Sequence, residues 1–109
     1  MRKSPINKVS TKQAAELRER YRLKLLLLEQ QQAMGYYHCQ TCGCQTIFTG
    51  AGYLELSHII ALSRGGKTTL DNVILEGGSF TCGCHARYEK KAENRPKDSI
   101  GYKKWELLQ

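Results

Sequence analysis

Ser57-His-Ile-Ile-Ala-Leu-Ser-Arg-Gly-Gly-Lys67, then Asp71-Asn72-Val-Ile-Leu75, then Cys82-Gly-Cys84-His85, is the stretch that decides how this chain is read. Tyr53 to Ala61 mixes alternation with β-branched residues and reads as a strand. Arg64-Gly-Gly-Lys67 reads as a loop and Val73-Ile-Leu75 as a second strand. Gly77-Gly-Ser79 is another loop. From Cys84 the residues His-Ala-Arg-Tyr-Glu-Lys-Lys-Ala-Glu predict a helix that runs until Pro96. The order is strand, loop, strand, helix, with one histidine on the first strand and another on the helix.

Working outward, the five cysteines form two tight groups: Cys39, Cys42 and Cys44, then Cys82 and Cys84. An odd count is a poor basis for a disulfide framework. Clustered pairs about 40 residues apart suit a tetrahedral metal site, in which each turn supplies two thiolates. Cys39-Gln-Thr-Cys42-Gly43 has the shape of a zinc knuckle. The expected zinc set is Cys39, Cys42, Cys82 and Cys84. Cys44 can replace Cys42 or stay free, and His38 is a further candidate ligand. A structural zinc ion contributes folding energy, on the order of 10 kcal/mol in small peptides.

Upstream, the first nine residues read as a flexible arm. Ser10 and Gln13 fit a capping box, so a helix should begin near residue 11 and end near Gln32, before Gly35. Leu17, Tyr21, Leu25 and Leu28 draw an apolar stripe along it, and Arg18, Arg20, Arg22 and Lys24 occupy much of the rest. Downstream, Tyr102, Trp105, Leu107 and Leu108 belong to a short segment expected to dock on the body. The expected division is a basic arm and helix over 1–34, a central domain over 35–95 and a docking tail over 96–109.

With 109 residues, 40% of them hydrophobic and 25% charged, the chain fits one ordinary globular domain. The longest apolar run, Leu25 to Leu28, is far short of a membrane span. Met1-Arg-Lys-Ser-Pro5 carries no apolar signal region, so a cytoplasmic protein is expected. Net charge is +7, split as +5 over residues 1–32, −1 over 33–80 and +3 over 81–109. Two basic flanks around a near-neutral centre suit a protein whose ends grip a polyanion.

Taken together, residues 39–89 resemble the HNH endonucleases: a strand histidine, a Gly-Gly loop, an asparagine before apolar residues, and a cysteine pair ending in histidine. The basic N-terminal helix is similar to leaders on phage and prophage members. The resemblance implies a small α+β protein, a ββα-metal (His-Me finger) domain with a zinc-binding cysteine cluster. It implies hydrolysis of phosphodiester bonds in DNA with structural Zn2+ and a catalytic Mg2+, Mn2+, Ni2+ or Zn2+. By the same resemblance His58 is the general base, suited by an ordinary pKa of about 6.5. Asn72 holds the loop and orients the His58 imidazole, and His85 binds the catalytic cation. Phage packaging or other DNA-processing machinery is the implied setting, with no membrane partner.

Two departures from the family pattern stand out. Ser57 occupies the position where an acidic metal ligand usually precedes the histidine, and a hydroxyl is a weak ligand for a hard dication. Glu89, one helical turn after His85, is expected to face the same way and join Ser57 and His85 around the cation. The later cysteines are spaced Cys-x-Cys where the family shows Cys-x-x-Cys. Arg64 and Lys67 beside the glycines, with Arg87, Lys90 and Lys91 along one face of the last helix, are candidate phosphate contacts. The reading from another class is a zinc-stabilised nucleic-acid-binding module without cleavage activity, with Ser57 its best support.

Overall fold

The computed structural model describes residues 11–109. The expected arm and the Ser10 cap lie outside the described residues. Helix α1 spans Thr11–Met34, followed by strands β1 (Tyr37–His38), β2 (Gln45–Thr46), β3 (Leu54–His58) and β4 (Val73–Gly77), then helices α2 (Cys84–Tyr88) and α3 (Ile100–Leu107). Short 3-10 turns at Leu62–Arg64, Leu70–Asn72 and Ala92–Asn94 shape the connections. The chain is therefore a small α+β protein.

α1 is rich in Leu, Ala, Glu, Arg and Gln, all good helix formers. Glu16–Arg20 at 3.0 Å and a two-point Glu19–Arg22 pair at 2.7 and 3.0 Å brace its exposed surface. Its buried stripe is not the expected one. Leu17, Tyr21 and Leu25 are 55%, 66% and 48% exposed, whereas Leu23, Leu27 and Gln31 are buried. Leu25 to Leu28 are four leucines in succession and place an apolar side chain on every side of the helix, so their periodicity does not select a face. Polar partners select it. Gln31 donates to the His38 carbonyl at 3.0 Å and accepts its N–H at 2.8 Å, tying the helix to β1 at the same face as Leu23 and Leu27.

β3 and β4 pair antiparallel in the register Leu54↔Gly77 through His58↔Val73. Leu54, Val73 and Leu75 pack with Leu23 and Leu27 of α1, and Leu56 joins them from the edge. Ile59 and Ile74 face the other way, onto Ala92, Trp105 and Leu108. The hairpin is thus held between the N-terminal helix and the C-terminal segment. Leu107, expected to dock with its neighbours, is 86% exposed.

α2 stops at Tyr88, well short of Pro96. Glu89 has left the helix with ψ 125°, and Lys90 takes φ 61°. Just beyond, the chain meets the β3–β4 hairpin. Ala92 is buried in the second cluster, and Arg95 is drawn fully inside, where Nε and Nη2 each donate to Glu76 of β4 at 2.9 Å. The Thr41 hydroxyl donates to the same carboxylate. Such a buried pair costs desolvation to form, but removing one partner strands the other, at about 3–5 kcal/mol.

Candidate functional site

The first of two constellations is built from the knuckle. The Gly43 N–H bonds the Cys39 carbonyl at 2.9 Å, and Cys39 N–H bonds the Cys44 carbonyl at 2.9 Å. The N–H groups of Thr41 and Cys44 point at the sulfurs of Cys39 and Cys42, both at 3.4 Å. Gly83, with φ 73°, sits between Cys82 and Cys84 and heads α2. That left-handed residue is what lets thiols only two positions apart turn to a common point, and it accounts for the shortened Cys-x-Cys spacing. The sulfurs of Cys39, Cys42, Cys82 and Cys84 all lie within 4.8 Å of one another. A tetrahedral zinc with ~2.3 Å bonds needs sulfurs about 3.8 Å apart, so the four fit zinc.

Electrostatics within the group agree with a shared ion. Burial raises the Cys42 thiol to about 11 and also drives Cys84 upward. For Cys82 burial acts upward too, but hydrogen bonds from the Cys84 backbone and the other three sulfurs outweigh it and bring it down to about 7. The Cys42 and Cys84 thiols resist ionising beside their neighbours, which is the condition a dication relieves. Cys44 stays outside the group and donates to the Gln45 carbonyl at 3.7 Å. His38 is also outside it: its ring is buried, 4.9 Å from that of Tyr36, and its Nδ1 has no partner.

The second constellation surrounds the β3–β4 hairpin. His58, at the end of β3, places Nε2 2.8 Å from the Thr68 hydroxyl. Asn72 is buried, and its side-chain hydrogen bonds go to the loop backbone. Oδ1 accepts from Ile60 N–H at 2.8 Å, while Nδ2 donates to the carbonyls of Ile60 at 3.0 Å and Lys67 at 2.8 Å. It therefore clamps both ends of the loop from Ile60 to Lys67. The expectation that it also bonds the imidazole is corrected here, because the His58 partner is Thr68. Gly66 completes the clamp: a Cβ there would sit 1.8 Å from the Ile60 carbonyl oxygen.

His85, in the first turn of α2, bonds through Nδ1 to Glu55 Oε1 at 2.8 Å. The other Glu55 oxygen accepts Gly52 N–H at 2.8 Å. The His85 hydrogen bond and then the Gly52 N–H hold the Glu55 carboxyl below its usual range. Glu89, by contrast, lies outside α2 and is exposed, so the helical spacing that linked it to His85 does not exist. Ser57 is buried opposite Ile74. Side chains on a strand repeat every two residues, so Glu55 shares the Ser57 face. Glu55, two residues before Ser57, is the acid of β3 that meets His85.

α1 runs past both histidines. Burial first, then the charge of Arg20 and more weakly that of His85, lower the His58 pKa against the pull of Glu16. Lys24, pushed down by burial, acts on Glu55. Among the described residues His58 Nδ1 and His85 Nε2 carry no hydrogen bond, which leaves each ring one uncommitted nitrogen. Arg64, Lys67, Arg87, Lys90 and Lys91 are all exposed. Arg64 donates to the Lys90 carbonyl at 3.3 Å, which brings those two together, but Lys90 and Lys91 lie beyond the end of α2 and do not continue its face.

Residues 39–76 match the family model of the HNH endonucleases. Over that third of its length the chain is similar to an HNH domain. The match takes in the first zinc pair, Glu55, His58 and Asn72, and it ends just short of Cys82, Cys84 and His85. The chain matched no curated protein and no solved structure. An HNH domain points to nuclease-type chemistry on nucleic acid with metal ions. No described helix is long and apolar enough to cross a membrane.

Three residues around the two histidines escaped sequence reasoning. Glu55 had a signal, since it is an acid on the histidine strand, in phase with the position where an acid was missing. Thr68 and Glu16 had none. Nothing local in α1 tells that residue 16 meets residue 68.

Proposed function

We propose that the protein is a metal-dependent endonuclease that hydrolyses phosphodiester bonds in DNA. The observation that carries this reading is the pairing of ring nitrogens. His58 and His85 each have one nitrogen fixed by a polar side chain and the other free for chemistry. His58, neutral at cellular pH, accepts a proton from the attacking water. Asn72 holds the loop that carries Thr68, and so sets the ring's orientation at one remove. His85, oriented by Glu55, offers Nε2 as a ligand in the carboxylate–histidine–metal arrangement common to metal sites. His85 would hold a divalent cation (Mg2+, Mn2+, Ni2+ or Zn2+), which would supply polarisation of the scissile phosphate and charge stabilisation at the leaving oxygen. Cys39, Cys42, Cys82 and Cys84 hold the structural zinc that fixes the start of α2 and hence His85.

Arg64, Lys67, Arg87, Lys90 and Lys91 supply phosphate contacts that set affinity without reading sequence. A cytoplasmic setting, with phage packaging or another DNA-processing machine as partner, fits the basic flanks. The test is nicking of supercoiled plasmid in Mg2+, Mn2+ or Ni2+ by wild type, His58→Ala and His85→Ala. Cleavage by wild type and its loss in both variants is the expected result. DNA binding without nicking in every metal would establish instead a zinc-stabilised binding module.

A further inference from the structure

A carboxylate on α1 reaches the His58 ring through a single hydroxyl. Thr68, almost fully buried, lies between them. Its Oγ1 is 2.8 Å from His58 Nε2, and its hydroxyl donates to Glu16 Oε2, which also receives Arg20 Nε at 3.0 Å. A threonine hydroxyl has one hydrogen to give. Glu16 is held ionised by the hydrogen bonds from Thr68 and then Arg20, so it only accepts, and the Thr68 hydrogen is committed to it. Toward His58 the hydroxyl oxygen can then only accept. A neutral imidazole has one N–H, and here it must be at Nε2.

We propose that Glu16, acting through Thr68, is a positioning residue that fixes His58 in its Nε2–H form and leaves the Nδ1 lone pair to take a proton from water. This rests on the reading of His58 as the base. It extends the site to α1, which lies outside the matched residues 39–76. Without the carboxylate, Thr68 is free to turn its hydrogen toward the ring. It then favours the opposite form, in which the working nitrogen is already protonated. Glu16 also keeps the ring from turning about its Cβ–Cγ bond, because only Nε2–H meets an acceptor at that place.

Nitrogen-15 NMR of the zinc-loaded full chain decides the matter, at a pH where imidazole is neutral. The chain has three histidines, and His58→Gln identifies the signal. Wild type should show one protonated-type nitrogen at Nε2 and one unprotonated-type nitrogen at Nδ1. In Glu16→Ala and Thr68→Val the two shifts should move toward each other as the second form becomes populated. Glu16→Gln, which still accepts from Thr68, should keep the wild-type pattern. In plasmid nicking, Glu16→Ala should lose ~10-fold or more in kcat with little change in KM, and Glu16→Gln should recover most of it. Should Glu16→Ala loosen α1, Thr68→Val carries the same test from the loop. An Nδ1–H ring in wild type, or an unchanged pattern in both Glu16→Ala and Thr68→Val, overturns the proposal. Because the ring pattern is read without DNA, its outcome is separate from that of His58→Ala in the cleavage assay.

Discussion

Glu55→Ala tests how His85, the proposed cation ligand, is held. In the intact protein Glu55 bridges His85 Nδ1 at 2.8 Å and Gly52 N–H at 2.8 Å, so it fixes the His85 ring from a rigid strand. Removing it frees the ring to rotate, and the uncommitted Nε2 no longer points to one place. Loss of such a partner typically weakens metal affinity ~10–100-fold. At about 1.4 kcal/mol per decade, that is ~1.4–2.8 kcal/mol. If the carboxylate also touches the ion, the loss exceeds the upper figure. Glu55→Gln should fall between: its amide keeps an acceptor for one partner but turns a donor toward the other and gives up the charge.

The assay is calorimetric titration of Mn2+ or Ni2+ into zinc-loaded protein, followed by the metal dependence of nicking. Zinc content should stay at wild-type level in every variant, because Glu55 is not among the clustered cysteines. Glu89→Ala, outside α2 and exposed, should bind like wild type. Wild-type metal affinity in Glu55→Ala, or a loss in Glu89→Ala as large as the one in Glu55→Ala, would refute the reasoning.

Asn72→Ala removes hydrogen bonds to the Ile60 N–H, the Ile60 carbonyl and the Lys67 carbonyl. At about 0.5–1.5 kcal/mol each, the expected loss is ~2–4 kcal/mol by urea denaturation, and a loss under 1 kcal/mol contradicts the clamp. Stripping zinc with a strong chelator should unfold the domain as seen by circular dichroism, whereas Cys44→Ser should keep a wild-type zinc content and fold. Unfolding of Cys44→Ser, or a chelated domain that keeps its fold, rejects the zinc set. In pH profiles, burial, Arg20 and His85 together hold His58 below its ordinary 6.5, so the neutral base persists as pH falls through that value. The acidic limb of kcat/KM should lie under about 6.5 and move upward in Arg20→Gln; a wild-type limb above 6.5 would contradict the assignment.

Legibility from sequence followed the range of the interactions. The cysteine spacings carry their own geometry, so the four sulfurs that converge were recognisable without coordinates, as was the order strand, loop, strand, helix. The outward face of α1 was misread because Leu25 to Leu28 blur the helical period, and because Gln31 and Glu16, polar residues, belong to the buried side. α2 was read too long because His85 to Glu93 has a helical composition. What that composition does not signal is the break at Glu89 and Lys90, where the backbone leaves the helical region. Glu89 was chosen by a spacing that holds only while the helix continues. Glu55 met the requirement better, but nothing in the sequence says which acid lies against His85.

A pattern joins these misreadings. The stretch that resembles HNH proteins contains its own cysteine pair, strand histidine and loop clamp, yet several of its polar groups are completed from outside. Glu76 within it is neutralised by Arg95 after it, and Gln31 before it secures the knuckle through His38. Thr68 answers to Glu16, fifty-two positions earlier. A domain this small cannot bury enough apolar surface to hold polar side chains rigid by packing alone. The cysteine cluster lies at one end of the site and polar contacts from both flanks at the other, so the flanks are part of the site's geometry. On that argument α1 has two faces with separate duties. The face bearing Glu16, Leu23, Leu27 and Gln31 sets the hairpin, whereas on the exposed face Arg22 pairs with Glu19 and Arg18 is turned to solvent.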